Sequence, residues 1–215
     1  MTSRKTIGLF GGTFDPIHVG HLRVALELKQ RLHLDEMRLV PCHIPPHRYE
    51  PVASPEQRAA MVKLAISDCP HLQIDEIELA NPEPSFSIHT LEVLREQLGS
   101  DVSLCLSMGM DSLINLSTWH RWRELLSFGH IIVAARPNSA LPESGEIAEF
   151  IQQHQGSGGD LHARPSGSIV ILESTLLPIS ATEIREMIPK AESPQFLLVD
   201  SVLRYIKANN LYGSH

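Results

Sequence analysis

The sequence predicts an α/β fold: a doubly wound parallel sheet in a single domain (residues 1–215) with a helical C-terminal part. Three observations predict it. Short apolar runs alternate with helix-length amphipathic stretches along the chain, the pattern of strands buried between two helical layers. No internal repeat or domain linker interrupts the alternation, and 215 residues suit one hydrophobic core. The first apolar run leaves through two glycines straight into a helix, at the kind of strand exit where open sheets bind ligands.

Each element has its own reason. TIGLFGG (6–12) is a buried strand with a glycine exit, and HVGHLRVALELKQRLHL (18–34) places Leu22, Ala25, Leu26 and Leu32 on one helical face. EMRLVPC (36–42) is a second strand, closed by Pro41 and the proline pair at 45–46. SPEQRAAMVKLAISDC (54–69) opens with a serine N-cap and a proline in the first turn. LQIDEIEL (72–79) alternates as a half-buried strand, and SFSIHTLEVLREQLG (85–99) is helical up to its glycine. VSLCLSMG (102–109), HIIVAARP (130–137) and SIVILES (168–174) are further strands, with two short helices between the first two of them. ISATEIREMI (179–188) and an amphipathic helix over 194–210 complete the chain, and HQGSGGDLHARPSGS (154–168) is expected to be a surface loop.

Composition narrows the function. The formal charge of −7 argues against nonspecific nucleic-acid binding, so an anionic ligand needs a local cluster of donors. No apolar run reaches the roughly 18 residues that cross a bilayer, and the polar start MTSRKT reads as no signal peptide. Cys42, Cys69 and Cys105 form no CxxC pair and read as reduced cytoplasmic thiols. No residue is expected to be a metal ligand.

The strongest local pattern is GGTFDPIHVGH (11–21). Gly11 and Gly12 permit close backbone approach, and successive N–H groups ahead of a helix start make an anion site. His18 and His21 stand at i and i+3 and can share one helical face, with Gly20 leaving that face open. The alternative is structural: one histidine caps the helix and the other packs. A metal reading lacks nearby cysteine or carboxylate ligands. Late in the chain, Ser180 of ISATEIR is an N-cap with Glu183 completing a capping box, and Arg185, one turn on, is either a solvated charge or a ligand group.

GGTFDPIHVGH resembles the HxGH signature of the nucleotidyltransferase superfamily, whose fold is related to that of the class I aminoacyl-tRNA synthetases. The expected sheet is therefore Rossmann-like. ISATEIR resembles the superfamily's second signature, ISSTxIR, with Ala181 replacing a serine. Within the superfamily, CHIPPHR (42–48) is similar to the PxxxPPHK element of bacterial nicotinate-nucleotide adenylyltransferases, with Arg48 for lysine. SFSIHTL (85–91) looks like their SYTIDTL, with His89 where aspartate is usual. MGMDSLINLSTWHRWREL (108–125) looks like their GxDxLxxLxxWxxWxxL block, and AARP (134–137) and VLRYIKANNLY (202–212) also fit.

The resemblance implies transfer of AMP from ATP to nicotinate mononucleotide, with Mg²⁺ carried on the ATP. It assigns His18, His21 and Arg185 to catalysis. It places Gly11, Gly12, Thr13, Phe14, Asp111, Arg136, Ser180 and Thr182 with those three around ATP. His47, Arg48, Thr90 and Trp119 would hold the mononucleotide. Bland alternatives stand beside these: an N-cap for Asp111, a carbonyl bond for Thr90, a surface charge for Arg136, a solvated loop for His47 and Arg48, and packing for Trp119. Trp122 is expected to be packing only. ATP and nicotinate mononucleotide are the implied small-molecule partners, without nucleic acid or membrane; a homo-oligomer is left open. The rivals are an adenylyltransferase with another acceptor and a nucleotide-binding regulatory protein without turnover.

Overall fold

In the computed structural model of the chain, residues 4–46, 50–81, 83–137, 139–175 and 177–213 are described. Six parallel strands form one sheet among them: β1 (Thr6–Gly12), β2 (Glu36–Pro41), β3 (Gln73–Ile74), β4 (Ser103–Gly109), β5 (His130–Ala135) and β6 (Ile169–Glu173). Their order is β3-β2-β1-β4-β5-β6, so the winding reverses between β1 and β4. This is the Rossmann-like, doubly wound arrangement that the sequence predicts, and the crevice beyond its reversal point is where such sheets bind ligands.

Alternation along the strands divides the core. Ile7 and Leu9 of β1 join one apolar cluster, while Phe10 packs against the other. On Phe10's face lie α1 (Val19–Arg31), α2 (Pro55–Ile66), α8 (Ala181–Met187) and α9 (Asp200–Ala208), which contribute Ala25, Met61, Ile184 and Val202. On the opposite face lie α3 (Ser87–Leu98), α4 (Met110–Ile114), α5 (Leu125–Phe128) and α6 (Glu146–His154), contributing Leu91, Leu113, Leu125 and Phe150. Apolar burial on both faces is what makes near-continuous hydrophobic strands favourable here.

Several caps match expectation. Ser54 accepts from the Gln57 N–H at 3.3 Å and the Gln57 side chain returns the bond, a complete capping box with Pro55 in the first turn. Helix α3 stops at Gly99, whose φ of 75° suits glycine.

Three expectations are corrected. The strand expected over 72–79 is only Gln73–Ile74, because Asp75 turns the chain: its Oδ1 accepts the Ile77 N–H and its Oδ2 pairs with Arg38. The glycine-rich stretch 154–168 contains a helix, α7 (Gly158–Ala163). Ser157 and Asp160 form its capping box and Leu161 is fully buried, so capping and burial outweigh the glycine content. The final helix is shorter than 194–210. Residues 194–199 are irregular, and the Leu197 carbonyl accepts the Val19 N–H at the start of α1.

Candidate active site

The site is assembled at the carboxyl edge of the sheet. At the end of β1, Gly11 has open space where a Cβ would stand. A Cβ on Gly12 would come within 2.8 Å of the Phe14 ring. Phe14 is buried at φ 50°, so only its backbone is offered to a ligand. The Val19 N–H at the start of α1 is taken by the Leu197 carbonyl, which puts more of any anion recognition there on side chains.

His18 and His21 meet face to face. Their rings stack with centroids 3.6 Å apart and 20° between planes. The His18 backbone N–H donates to His21 Nδ1 at 3.3 Å. With Nδ1 accepting, the proton of the neutral His21 ring belongs on Nε2. Phe14 sets its ring edge-on to His21 at 5.2 Å. Gly20 has a steric reason: a Cβ there would lie 3.0 Å from His18 Nδ1. His18 occupies the N-cap position of α1, and the His21 side chain accepts its backbone N–H, so a histidine does take part in capping this helix.

Burial pushes the His18 pKa down to about 4. Two stacked cations at this distance would repel, and a neutral His18 removes that cost. The same shift predicts acid sensitivity. Between about pH 6.5 and 4 the unfolded chain binds a proton at this residue that the folded chain refuses. Stability from this source is complete above about pH 6.5 and falls as pH drops, by about 3 kcal/mol in total. Urea midpoints measured from pH 7 to 4 should fall more steeply for the wild type than for His18→Gln. Parallel curves would refute the assignment.

The late segment docks onto this loop. Arg185 Nη1 donates to the Asp15 carbonyl at 2.6 Å, across 170 positions of chain, and Nη2 donates to Thr182 Oγ1 at 3.3 Å. Ser180 caps α8 by accepting the Thr182 N–H; the expected reciprocal box with Glu183 does not form. Arg185 also lines a cleft of 510 Å³ with Val52, Asn210, Leu211, Tyr212 and Gly213.

Beneath the loop lies a network that the sequence did not single out. Asp15, buried, accepts the Val52 N–H on Oδ2, and the Ala53 N–H and the Tyr212 hydroxyl on Oδ1. Arg58, fully buried, donates to the carbonyls of Thr13, Cys42, His43 and Ala53. It thereby ties the exits of β1 and β2 to the start of α2. Asp15 and Tyr212 stand inside quoted motifs, but Arg58 carries no local signal.

On the other side of the crevice, the start of α3 is fastened to the exit of β2: Ser85 Oγ accepts the His43 N–H at 2.9 Å. Thr90 donates its hydroxyl to Glu78 Oε1 at 2.6 Å and its N–H to the Phe86 carbonyl. Burial pushes the Glu78 carboxyl up. His89, next to Thr90, and His120, next to Trp119, both pack around Phe86, at 5.6 and 4.7 Å. Trp119 is half-buried, whereas Trp122 is buried edge-on to Phe150 at 4.9 Å, as packing. Asp111 is exposed in the first turn of α4, whose N-cap is Gly109. Arg136 is exposed directly after β5. His47 and Arg48 lie outside the described residues.

Buried polar atoms mark the same edge. Among the described residues, the buried side-chain atoms without a protein hydrogen-bond partner are His18 Nδ1, His43 Nδ1, Ser107 Oγ and Ser174 Oγ. These residues follow β1 and β2, lie near the end of β4, and follow β6. Buried polar groups are ordinarily satisfied, so their gathering at the strand exits points to a ligand face.

The cytidylyltransferase-like family model matches residues 9–187. A probable nicotinate-nucleotide adenylyltransferase of Cellvibrio japonicus is 53% identical over 209 residues, 97% of this chain and 99% of that one. The chain belongs to the nicotinate-nucleotide adenylyltransferase family. A second member, from Aeromonas salmonicida, is 45% identical over 97% of this chain and 98% of its own. The family fold is also seen in a solved structure, Plasmodium falciparum nicotinic acid mononucleotide adenylyltransferase complexed with NaAD. It has a TM-score of 0.75 at 18% identity, over 98% of both chains. As an adenylyltransferase of this family, the chain has no helix among its described residues long and apolar enough to cross a membrane.

Proposed function

We propose that the chain transfers AMP from ATP to nicotinate mononucleotide, giving deamido-NAD (nicotinate adenine dinucleotide) and pyrophosphate, with no covalent enzyme intermediate. The observation that carries this reading is the contact of Arg185 with the Asp15 carbonyl. It places the late guanidinium beside the loop that bears the stacked histidines.

The chemistry follows from charge. The mononucleotide's phosphate oxygen is already anionic at neutral pH and attacks the α-phosphorus. The bond to the bridging oxygen breaks, and pyrophosphate leaves with its electrons. No side-chain nucleophile or general base is needed, so catalysis reduces to positioning and charge stabilisation. His21 Nε2–H donates to an α-phosphate oxygen, and neutral His18 holds the His21 ring in place and faces the α/β region. Arg185, assisted by Ser180 and Thr182, stabilises the departing pyrophosphate. The backbone of Gly11, Gly12, Thr13 and Phe14 cradles the phosphates, and Asp111 and Arg136 attend the adenylate end.

His47, Arg48, Thr90 and Trp119 attend the mononucleotide. Trp119 stacks on the pyridine ring, worth about 0.5–1.5 kcal/mol by analogy with aromatic pairs. Thr90 contributes pocket wall rather than a donor, since its hydroxyl and its N–H are both bound within the protein. Mg²⁺ enters on the nucleotide with its waters, in keeping with its reluctance to dehydrate. Asp15, the carboxylate beside the loop, has both oxygens engaged by protein donors and is poorly placed to act as a ligand.

The test is pyrophosphate release with nicotinate mononucleotide, its amide and phosphopantetheine as acceptors. The expected order puts nicotinate mononucleotide first. Preference for either of the others would overturn the substrate assignment, and ATP binding without product from any of them would overturn the catalytic one.

A further inference from the structure

We infer that Tyr212 is a positioning residue for Arg185, acting by occupying the Asp15 carboxylate. This rests on the reading of Arg185 as a phosphate ligand. A guanidinium next to a buried carboxylate ordinarily closes on it, with N–O distances of about 2.7–2.9 Å and often in bidentate form. Here the pair stays apart. Arg185 Nη1 is 4.0 Å from Asp15 Oδ2, while the same nitrogen bonds the Asp15 carbonyl at 2.6 Å.

The reason is that three neutral donors already hold the carboxylate. Oδ2 accepts the Val52 N–H at 2.9 Å, and Oδ1 accepts the Ala53 N–H at 3.2 Å and the Tyr212 hydroxyl at 2.6 Å. The Tyr212 bond is the shortest of the three and comes from the C-terminal segment. Burial, and then the neighbouring Asp15, push the phenol pKa upward, so the hydroxyl keeps its proton and serves as a donor. Neutral donors on the carboxylate weaken its pull on Arg185. The guanidinium is hydrogen-bonded by a carbonyl and by Thr182, two neutral partners, and its ion pair with Asp15 stays long at 4.0 Å, without a hydrogen bond between the charges.

Loss of the Tyr212 hydroxyl therefore exposes Oδ1. Arg185 can then close onto Asp15 as an ion pair, and its charge is no longer available to an incoming polyphosphate. The effect runs through the Asp15 charge, which makes it separable from simple loss of packing.

The experiment measures inorganic pyrophosphate affinity by calorimetry, together with kcat and the KM of each substrate, on the full chain. The variants are Tyr212→Phe, Asp15→Asn, their double combination and Arg185→Gln. Tyr212→Phe should weaken pyrophosphate binding and raise the ATP KM about tenfold, as expected for a lost bond to a charged group. The KM for the mononucleotide should stay within about twofold. Adding Asp15→Asn should restore wild-type pyrophosphate affinity, since an amide does not capture the guanidinium.

Wild-type affinity in folded Tyr212→Phe would overturn the inference, as would a double variant as weak as the single one. Should Tyr212→Phe not fold, Asp15→Asn alone decides: affinity equal to or above wild type supports masking, and loss as large as in Arg185→Gln overturns it. Unchanged affinity in Arg185→Gln would overturn the phosphate reading itself, whatever Tyr212 does.

Discussion

A His21→Ala variant should fold normally and lose about 10²–10³ in kcat, the usual cost of removing one preorganised donor to a developing charge. The fold should survive because His21 adds little to either apolar cluster and α1 keeps Val24, Ala25 and Leu28 in the core. The rate should fall because the His18 N–H fixes the His21 tautomer and the Phe14 edge fixes its plane. In the proposed mechanism, a ring set in this way would meet the phosphate without reorganisation. The loss should therefore be in kcat, with the KM values changing less. His21→Asn, which keeps a donor of shorter reach, should fall between the two. Single-turnover product formation with matched circular dichroism spectra checks this. Near-normal turnover in folded His21→Ala would remove His21 from the chemistry and move the transition-state contact to Arg185 and the loop backbone.

The legible parts of the fold were those in which local pattern and tertiary demand agree. Strands β1, β2, β4, β5 and β6 are apolar runs because both faces are covered, and Ser54-Pro55 and Gly99 mark helix ends through backbone requirements that act within a few residues. Where the two demands disagree, the sequence misleads. The alternation over 72–79 suits a strand, yet Asp75 bonds to the backbone two residues on and ends the pairing after Ile74. Residues 154–168 have a loop's composition, yet Leu161 completes the core. In the site, the residues carried by motifs were visible because their spacing is local. Arg58 was not, because its four carbonyl partners are brought to it only by the fold, and nothing adjacent to it signals a buried charge.

Arg58→Met should accordingly cost about 3–5 kcal/mol, the range in which unsatisfied buried polar groups place a substitution. Methionine fills a similar volume but leaves the Thr13, Cys42, His43 and Ala53 carbonyls without the donors they now have. Removing a desolvated charge offsets part of that loss, which is why the expected cost is below the sum of four separate bonds. Lysine should recover only part of it. Its single ammonium has three donors at one point, whereas the planar guanidinium spreads its bonds from Ala53 across to the exits of both β1 and β2. The damage should also reach the site. Ala53 gives its carbonyl to Arg58 and its N–H to Asp15, so one residue couples the buried cation to the carboxylate beneath the β1–α1 loop. Urea unfolding of wild type, Arg58→Met and Arg58→Lys measures the stability order, and pyrophosphate affinity in the Lys variant measures the coupling. A loss under about 1 kcal/mol in Arg58→Met would mean that water satisfies these carbonyls and that the strand exits are held by the sheet alone.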